Sequence, residues 1–224
     1  PSDLMERTTS TDLVFNVLYD QIVGLELLPG TKISETDVAK TFGYSRQPVR
    51  EAFMRLANLN LLLIRPQRAT LVRPFSRDII SDARFVRLAV ELEVVRRAAT
   101  CAKASIEDLF KANITAQRQA ISSGDARTFH KLDYDFHQLI SAVADQPAAF
   151  RVISENKAQV DRLCMLSLTS EAAMDTLLAD HLAILEAMKE QDSAKVEGAL
   201  RQHLSRLDPV IDAIYTTHAA YFDD

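Results

Sequence analysis

The chain has 224 residues, 47% hydrophobic and 25% charged, a composition that argues against disorder or low complexity and leaves room for one large domain or two modest ones. No apolar run approaches the roughly 20 residues that cross a bilayer, the N-terminal segment lacks the apolar stretch of a signal peptide, and Cys101 and Cys164 stand 63 residues apart without a CxxC pairing, which argues against a disulfide-built secreted fold. The net charge of −5 hides an asymmetry: residues 1–75 hold nine Lys/Arg against eight Asp/Glu, and the remainder 17 against 23. Between Arg46 and Arg73 there are six arginines (Arg46, Arg50, Arg55, Arg65, Arg68 and Arg73) and one acid, Glu51, so positive charge gathers where a DNA-facing element would sit. The expectation is a cytoplasmic, mainly α protein with little sheet, because Gly occurs only 5 times and strong helix formers dominate.

Taken in chain order, Leu13, Val14, Val17, Leu18, Ile22 and Leu25 repeat at helical spacing and predict a first helix from Thr9 or Ser10 to Leu25, ended by Leu28-Pro29-Gly30. Ser34 with Asp37 reads as a capping box for a short helix, Glu35 to Phe42, which Gly43 stops. Ser45 is placed to cap a third helix, in which Pro48 falls in the first turn and Val49, Ala52, Phe53 and Leu56 form the inward stripe. Leu61–Ile64 and Thr70–Arg73 are short and β-compatible, and read as a two-stranded wing. From Pro74-Phe75-Ser76 onward only helical periodicity remains, with breaks near Ser105, Gly124, Gln146-Pro147, Ser170 and Gln191-Asp192. These predict six helices, roughly 77–103, 106–122, 126–144, 148–168, 172–190 and 193–218, closing as an antiparallel bundle able to enclose a pocket. The domain division expected is 1–75, a winged helix-turn-helix with a small β-wing, and 76–224, an all-helical ligand-binding domain.

A recognition helix presents its N-terminal residues to base edges in the major groove. Arg46, Gln47 and Arg50 stand at that end, where arginine can pair with guanine O6 and N7 and glutamine with adenine. Arg55, Arg65 and Arg68 read as phosphate contacts, which add affinity without sequence information. The run Leu28-Pro29-Gly30, Ser34-Glu35, Val38-Ala39, Phe42-Gly43-Tyr44-Ser45-Arg46-Gln47-Pro48-Val49-Arg50-Glu51-Ala52-Phe53, then Leu56 and Leu59, closely resembles the winged-helix signature of the GntR family of bacterial repressors. The resemblance implies that operator DNA is contacted by Glu35 at its helix start, Ser45, Arg46, Gln47 and Arg50, and by Arg68 in the wing. Ala69 departs from the pattern, since family wings often carry a glycine there that lets the backbone approach the minor groove.

In the second half, Asp133 and His137 lie four apart and project from one face of a helix, while His181 and His203 fall on two later helices. Aimed at one point, they would make a set of three imidazoles and one carboxylate, suited to Zn, Ni, Mn or Fe. Read singly, each is more often an ordinary hydrogen-bonded helical residue, the class to which His130 and His218 are assigned. Asp133-x-x-Phe136-His137, Asp180-His181-x-x-Ile184-Leu185-x-Ala187-Met188 and Gln202-His203 resemble the FCD effector domain of the FadR branch of GntR regulators, over residues 78–218. That resemblance implies a divalent metal held by Asp133, His137, His181 and His203, and a small organic acid effector beside it. It also implies that Arg87 lies near the effector, where its guanidinium could clamp a carboxylate. Its alternative is a surface ion pair with Glu91 at i, i+4, and Arg84 and Arg162 are weaker candidates for the same role.

The function expected is a repressor that binds double-stranded operator DNA as a homodimer and is released when the acid shifts the bundle between two arrangements. Two alternatives stand beside it: a regulator that senses the metal itself, and a metalloenzyme in which the same four ligands activate water or oxygen. No separate acid or base motif accompanies the ligands, and an enzyme has no use for the arginine-rich winged helix.

Overall fold

The computed structural model describes residues 9–101, 106–167 and 170–223, which divide into two compact units, the first ending at Ser76 and taking up the residues from Ala220 onward, the second Arg77–Ala219. In the first unit, helix α1 (Ser10–Val23) starts on a capping box in which Thr9 and Asp12 bond reciprocally. It stops two residues short of the expected Leu25, which turns the chain with a φ of 60°. Strand β1 (Lys32–Ile33) precedes α2 (Glu35–Phe42), whose cap Ser34 accepts from the Thr36 and Asp37 amides without the reciprocal Asp37 bond that a box requires.

Gly43, at φ 68°, closes α2 through paired bonds from its own amide to the Lys40 carbonyl and from the Tyr44 amide to the Ala39 carbonyl. Helix α3 (Arg46–Asn58) follows, and its Val49, Ala52, Phe53 and Leu56 are completely buried, the inward stripe expected. They pack with Val14, Leu18 and Ile22 of α1, each such side chain contributing roughly 1.5–3 kcal/mol on burial. Ser45 makes no side-chain cap bond. Pro48, the third residue of the helix, removes one of the two amides that a serine cap can receive.

Strands β2 (Leu62–Leu63) and β3 (Thr70–Val72) form the wing, but the sheet has three strands in the order β1-β3-β2, all antiparallel. The two-residue β1 carries no alternation that a sequence pattern could register, so it is a feature only the pairing Lys32↔Leu71 and Ile33↔Thr70 reveals. Phe75 completes this unit by bridging in parallel to Phe222, with its amide bonded to the Tyr221 carbonyl at 2.7 Å.

The second unit comprises α4 (Arg77–Cys101), α5 (Ile106–Ser122), α6 (Ala126–Val143), α7 (Pro147–Ser167), α8 (Glu171–Lys189), α9 (Ser193–Ser205) and α10 (Asp208–Thr217). The break expected near Ser105, and the ends expected at 103 and 168, lie outside the described residues. Seven helices rather than six are found among the described residues, because the segment expected as 193–218 breaks at Arg206-Leu207. Pro209 explains the break: in a continuous helix its ring would strike the carbonyl of Ser205 and its missing amide would leave that carbonyl unbonded.

Just beyond α6 and α8, Asp145 and Gln191 take left-handed φ (52° and 56°), the role usually filled by glycine. Helix α4 packs against α7 and α9, α8 against α9, and α5 against α6. The core runs through Val94, Phe110, Phe129, Phe136, Ile184 and Met188, with Phe110 and Phe136 edge to face at 5.1 Å between ring centroids. No helix among the described residues is long and apolar enough to cross a membrane.

Candidate functional site

Helix α3 presents Arg46, Gln47 and Arg50 on its exposed face, with Ser45 exposed just before it. Arg46 and Arg50 both reach Glu35 Oε2, at 3.5 and 3.4 Å, so the first residue of α2 orients two arginines of α3 rather than standing free for a partner. Gln47 Nε2 donates to Glu51 Oε1 at 2.9 Å. Arg55, expected to touch phosphate, is instead paired with Asp12 at 2.8 Å and lies over the Phe15 ring, which ties α3 to α1. Arg68 is exposed in the turn between β2 and β3, where Gln67 takes a φ of 55°. With no cap bond of its own, the Ser45 hydroxyl is available at the helix N-terminus, a position that favours phosphate oxygens.

In the second unit, α6 supplies Asp133 and His137, α8 His181 and α9 His203, and one ligand atom from each lies within 4.8 Å of all the others. His137 Nε2 is 3.2 Å from His203 Nε2, and Asp133 Oδ1 is 3.2 Å from His181 Nε2, 3.7 Å from His203 Nε2 and 3.8 Å from His137 Nε2. The opposite ring atoms are held from outside: His137 Nδ1 lies 2.7 Å from Glu91 Oε2, and His181 Nδ1 lies 2.9 Å from Gln117 Oε1. Both partners are acceptors, so each Nδ1 carries the proton and each Nε2 turns a lone pair inward. Phe136 stacks on the His181 ring at 4.2 Å, fixing its plane.

Electrostatics sets the same charge state. Burial, reinforced by the neighbouring imidazoles, holds His203 well below its ordinary value, and burial lowers His181 against the pull of Asp133, so both stay neutral. Burial by itself would raise the Asp133 carboxyl, but the Lys157 ammonium at 3.0 Å keeps it well below the usual carboxylate range. His181 Nε2 is buried with no hydrogen-bond donor against it. Inward lone pairs on neutral imidazoles, together with an ionised carboxylate, repel one another unless a cation lies between them, so this donor set fits a divalent ion.

Arg87 is buried at 7% exposure and donates to Glu91 Oε1 at 2.8 Å, so the i, i+4 pair is real but it is not on the surface. It continues through Glu91 to His137, and Arg87 also lines the cavity described below. Sequence reasoning missed Glu91 as a holder of His137, Gln117 as the holder of His181, and Lys157, which is 3.0 Å from Asp133 Oδ2 and 2.7 Å from Asp161 Oδ1. Of these, Gln117 carried a signal in the sequence, a polar residue falling on the apolar stripe Phe110, Ile114 and Ile121 of its helix. Gln117→Leu is expected to weaken divalent-ion affinity by roughly 10- to 100-fold, measured by competition with a chelating dye, since it leaves the buried His181 Nδ1 unpaired.

A cavity of about 760 Å³ opens beside the cluster, lined by Asp133, His203, Arg87 and Lys157 at its polar end and by side chains of α4, α6, α7, α8, α9 and α10 elsewhere. Arg84 lines it too and pairs with Asp208, whereas Arg162 is completely buried.

Residues 11–72 match the family of bacterial regulatory proteins, gntR family, and residues 82–206 match the FCD domain. The chain is 36% identical over 211 residues to the HTH-type transcriptional repressor RspR of Escherichia coli (strain K12), covering 94% of this chain and 92% of that one. It is 25% identical over 213 residues to the galactonate operon transcriptional repressor of the same organism, covering 84% and 91%. The solved structure of E. coli McbR/YncC has the same fold, with a TM-score of 0.81 at 20% identity over 93% of this chain and all of that one.

Proposed function

The chain belongs to the GntR family of bacterial transcription regulators, with an FCD domain, and is a DNA-binding regulator rather than an enzyme; from this premise we propose that it is a repressor whose grip on operator DNA is controlled by a small organic acid bound at the metal cluster. Residues 1–75 would bind DNA and residues 76–224 the effector, in a cytoplasmic homodimer that sets two copies of α3 on a pseudo-palindromic operator. Arg46, Gln47 and Arg50 would read base edges, Ser45 and Arg68 would contact phosphates, and Glu35 would hold the two arginines in register. Its relatives named as repressors support that sign of control.

Asp133, His137, His181 and His203 would hold the divalent ion, which when bound supplies a Lewis-acid partner for a carboxylate oxygen. Arg87, buried at the same end of the cavity and already paired with Glu91, could donate to a carboxylate there from its remaining guanidinium nitrogens. The observation that carries this reading is the convergence of four ligand atoms, two of whose residues, Asp133 and His203, line a cavity large enough for a small acid. Helices α4 and α10 both line that cavity, and the chain passes between the units at Ser76, just before α4, and at Ala219, just after α10. Those two helices are therefore the proposed carriers of ligand occupancy to the DNA-binding unit, the acid working only through a difference in affinity for two arrangements of the bundle.

The test is fluorescence anisotropy on operator-type DNA with metal-stripped and metal-restored protein, with and without small carboxylic acids. An acid that changes DNA affinity only in the metal-restored protein supports the proposal. If the metal by itself moves DNA affinity and no acid adds to it, the protein is a metal sensor. On the DNA side, Arg50→Ala is expected to cost about 1–3 kcal/mol and to relax specificity at one position, while Arg68→Ala weakens all sequences alike and lowers the salt slope by about 1.

A further inference from the structure

We infer that the ligand of the cavity is a monocarboxylic acid with an apolar aliphatic or aromatic body, and that polyhydroxylated acids are rejected; this rests on reading the cavity as an organic-acid site. The wall beyond the polar end is made by Ile80 and Leu88 of α4, Phe129 of α6, Val160 of α7, Leu204 of α9 and Ile211 of α10. Polar side chains are also present, but they are already engaged. Arg77 pairs with Asp212, Arg84 with Asp208, Arg206 with Asp180 and His130 with Asp161.

Two of the lining hydroxyls donate within their own helices, Thr176 to the Ala172 carbonyl at 2.8 Å and Ser205 to the Gln202 carbonyl at 2.8 Å, which leaves them only as acceptors toward the cavity. Burial pushes the Cys164 thiol up to about 12, so it faces the cavity as a neutral, weakly polar group. Among the described lining residues only Ser81 and Arg201 carry a polar side chain with no such bond or pairing, and both are exposed.

A sugar acid would leave most of its hydroxyls in this chamber without partners, and a desolvated hydroxyl without a partner is unfavourable. An alkyl or aryl body would instead gain from every methylene covered. The charges agree with a single carboxylate. Lys157 and Arg87 are each already matched by Asp161 and Glu91, so the polar end offers no surplus cation for a second anionic group beyond the one the metal cluster would accept.

The probes are three six-carbon molecules, hexanoate, D-gluconate and 1-hexanol, titrated by calorimetry into the metal-supplemented full chain, with octanoate to read chain length. Hexanoate is expected to bind at least about tenfold more tightly than gluconate, with a gain approaching fourfold per added methylene toward octanoate. Leu204→Gln and, separately, Leu88→Gln should each narrow the hexanoate-to-gluconate ratio, with circular dichroism confirming the fold, so that the conclusion does not hang on one variant. Gluconate binding as tightly as hexanoate overturns the inference and leaves the carboxylate reading intact. Hexanol binding as tightly as hexanoate leaves the apolar wall standing and overturns the carboxylate reading, and with it the acid named here. Binding of none of the four overturns both.

Discussion

His181→Ala is expected to lower divalent-ion affinity by more than about 100-fold, because it deletes a ligand where loss of an outer-shell partner already costs roughly 10- to 100-fold. The Nε2 of His181 lies 3.2 Å from Asp133 Oδ1 and is the ligand atom that α8 contributes to the cluster. In wild-type protein at a free metal concentration 100 times Kd, the ion would add about 2.7 kcal/mol of stability, which the variant should lack. His181 also stacks on Phe136, so alanine removes packing as well as a ligand. The informative quantity is therefore the difference in Tm between metal-stripped and metal-restored samples of each protein. A variant that keeps the wild-type metal-dependent shift would remove His181 from the ligand set. His137→Ala, whose ring lies edge-on to Phe136 rather than stacked on it, should lose the same shift and serves as the second case.

Lys157→Met is expected to destabilise the second unit by about 3–5 kcal/mol, the range for removing one partner of a buried ion pair. Lys157 is 1% exposed and neutralises two carboxylates at once, Asp133 and Asp161, so methionine fills the volume and strands both charges. The effect has a pH signature. Burial raises the Asp161 carboxyl, but Lys157 and His130 outweigh it and bring the group down to about 2. A folded value below the unfolded one gives stability that is present above about pH 4 and is lost as pH falls toward 2, worth about 2 kcal/mol in full.

Without Lys157 the Asp161 value rises, so the acid unfolding midpoint should move to higher pH. Denaturant melts from pH 3 to 7 would show it. The double variant Lys157→Met/Asp161→Leu should recover part of the loss, since one stranded charge is gone. No recovery would mean that the cost is steric rather than electrostatic.

The same contrast between local and convergent information separates what was legible in the sequence from what was not. Helix α3 was legible because its stripe of Val49, Ala52, Phe53 and Leu56 is a local period, and its start is marked by Ser45 and Pro48 within one turn. The ligand set was reached by resemblance, and its four residues are spread over 70 positions with no period that joins them.

Only the packing of α6, α8 and α9 could decide that Asp133, His137, His181 and His203 point at one place, because a helical pattern states which face is buried but not what that face meets. Glu91 and Lys157 show the limit most clearly. In sequence, Arg87-x-x-x-Glu91 and Lys157-x-x-x-Asp161 are ordinary surface pairs at i, i+4, and nothing local distinguishes them from the exposed Arg97–Glu93 pair. What distinguishes them is that neighbouring helices cover both pairs, turning weak surface attractions into buried charges that must be matched. By itself the sequence determined the family, the helical class and the DNA-reading helix, whose signals lie within a few turns of chain; the fold decided which charges are buried, what holds each histidine and what walls the cavity, because those depend on residues brought together from helices far apart in the chain.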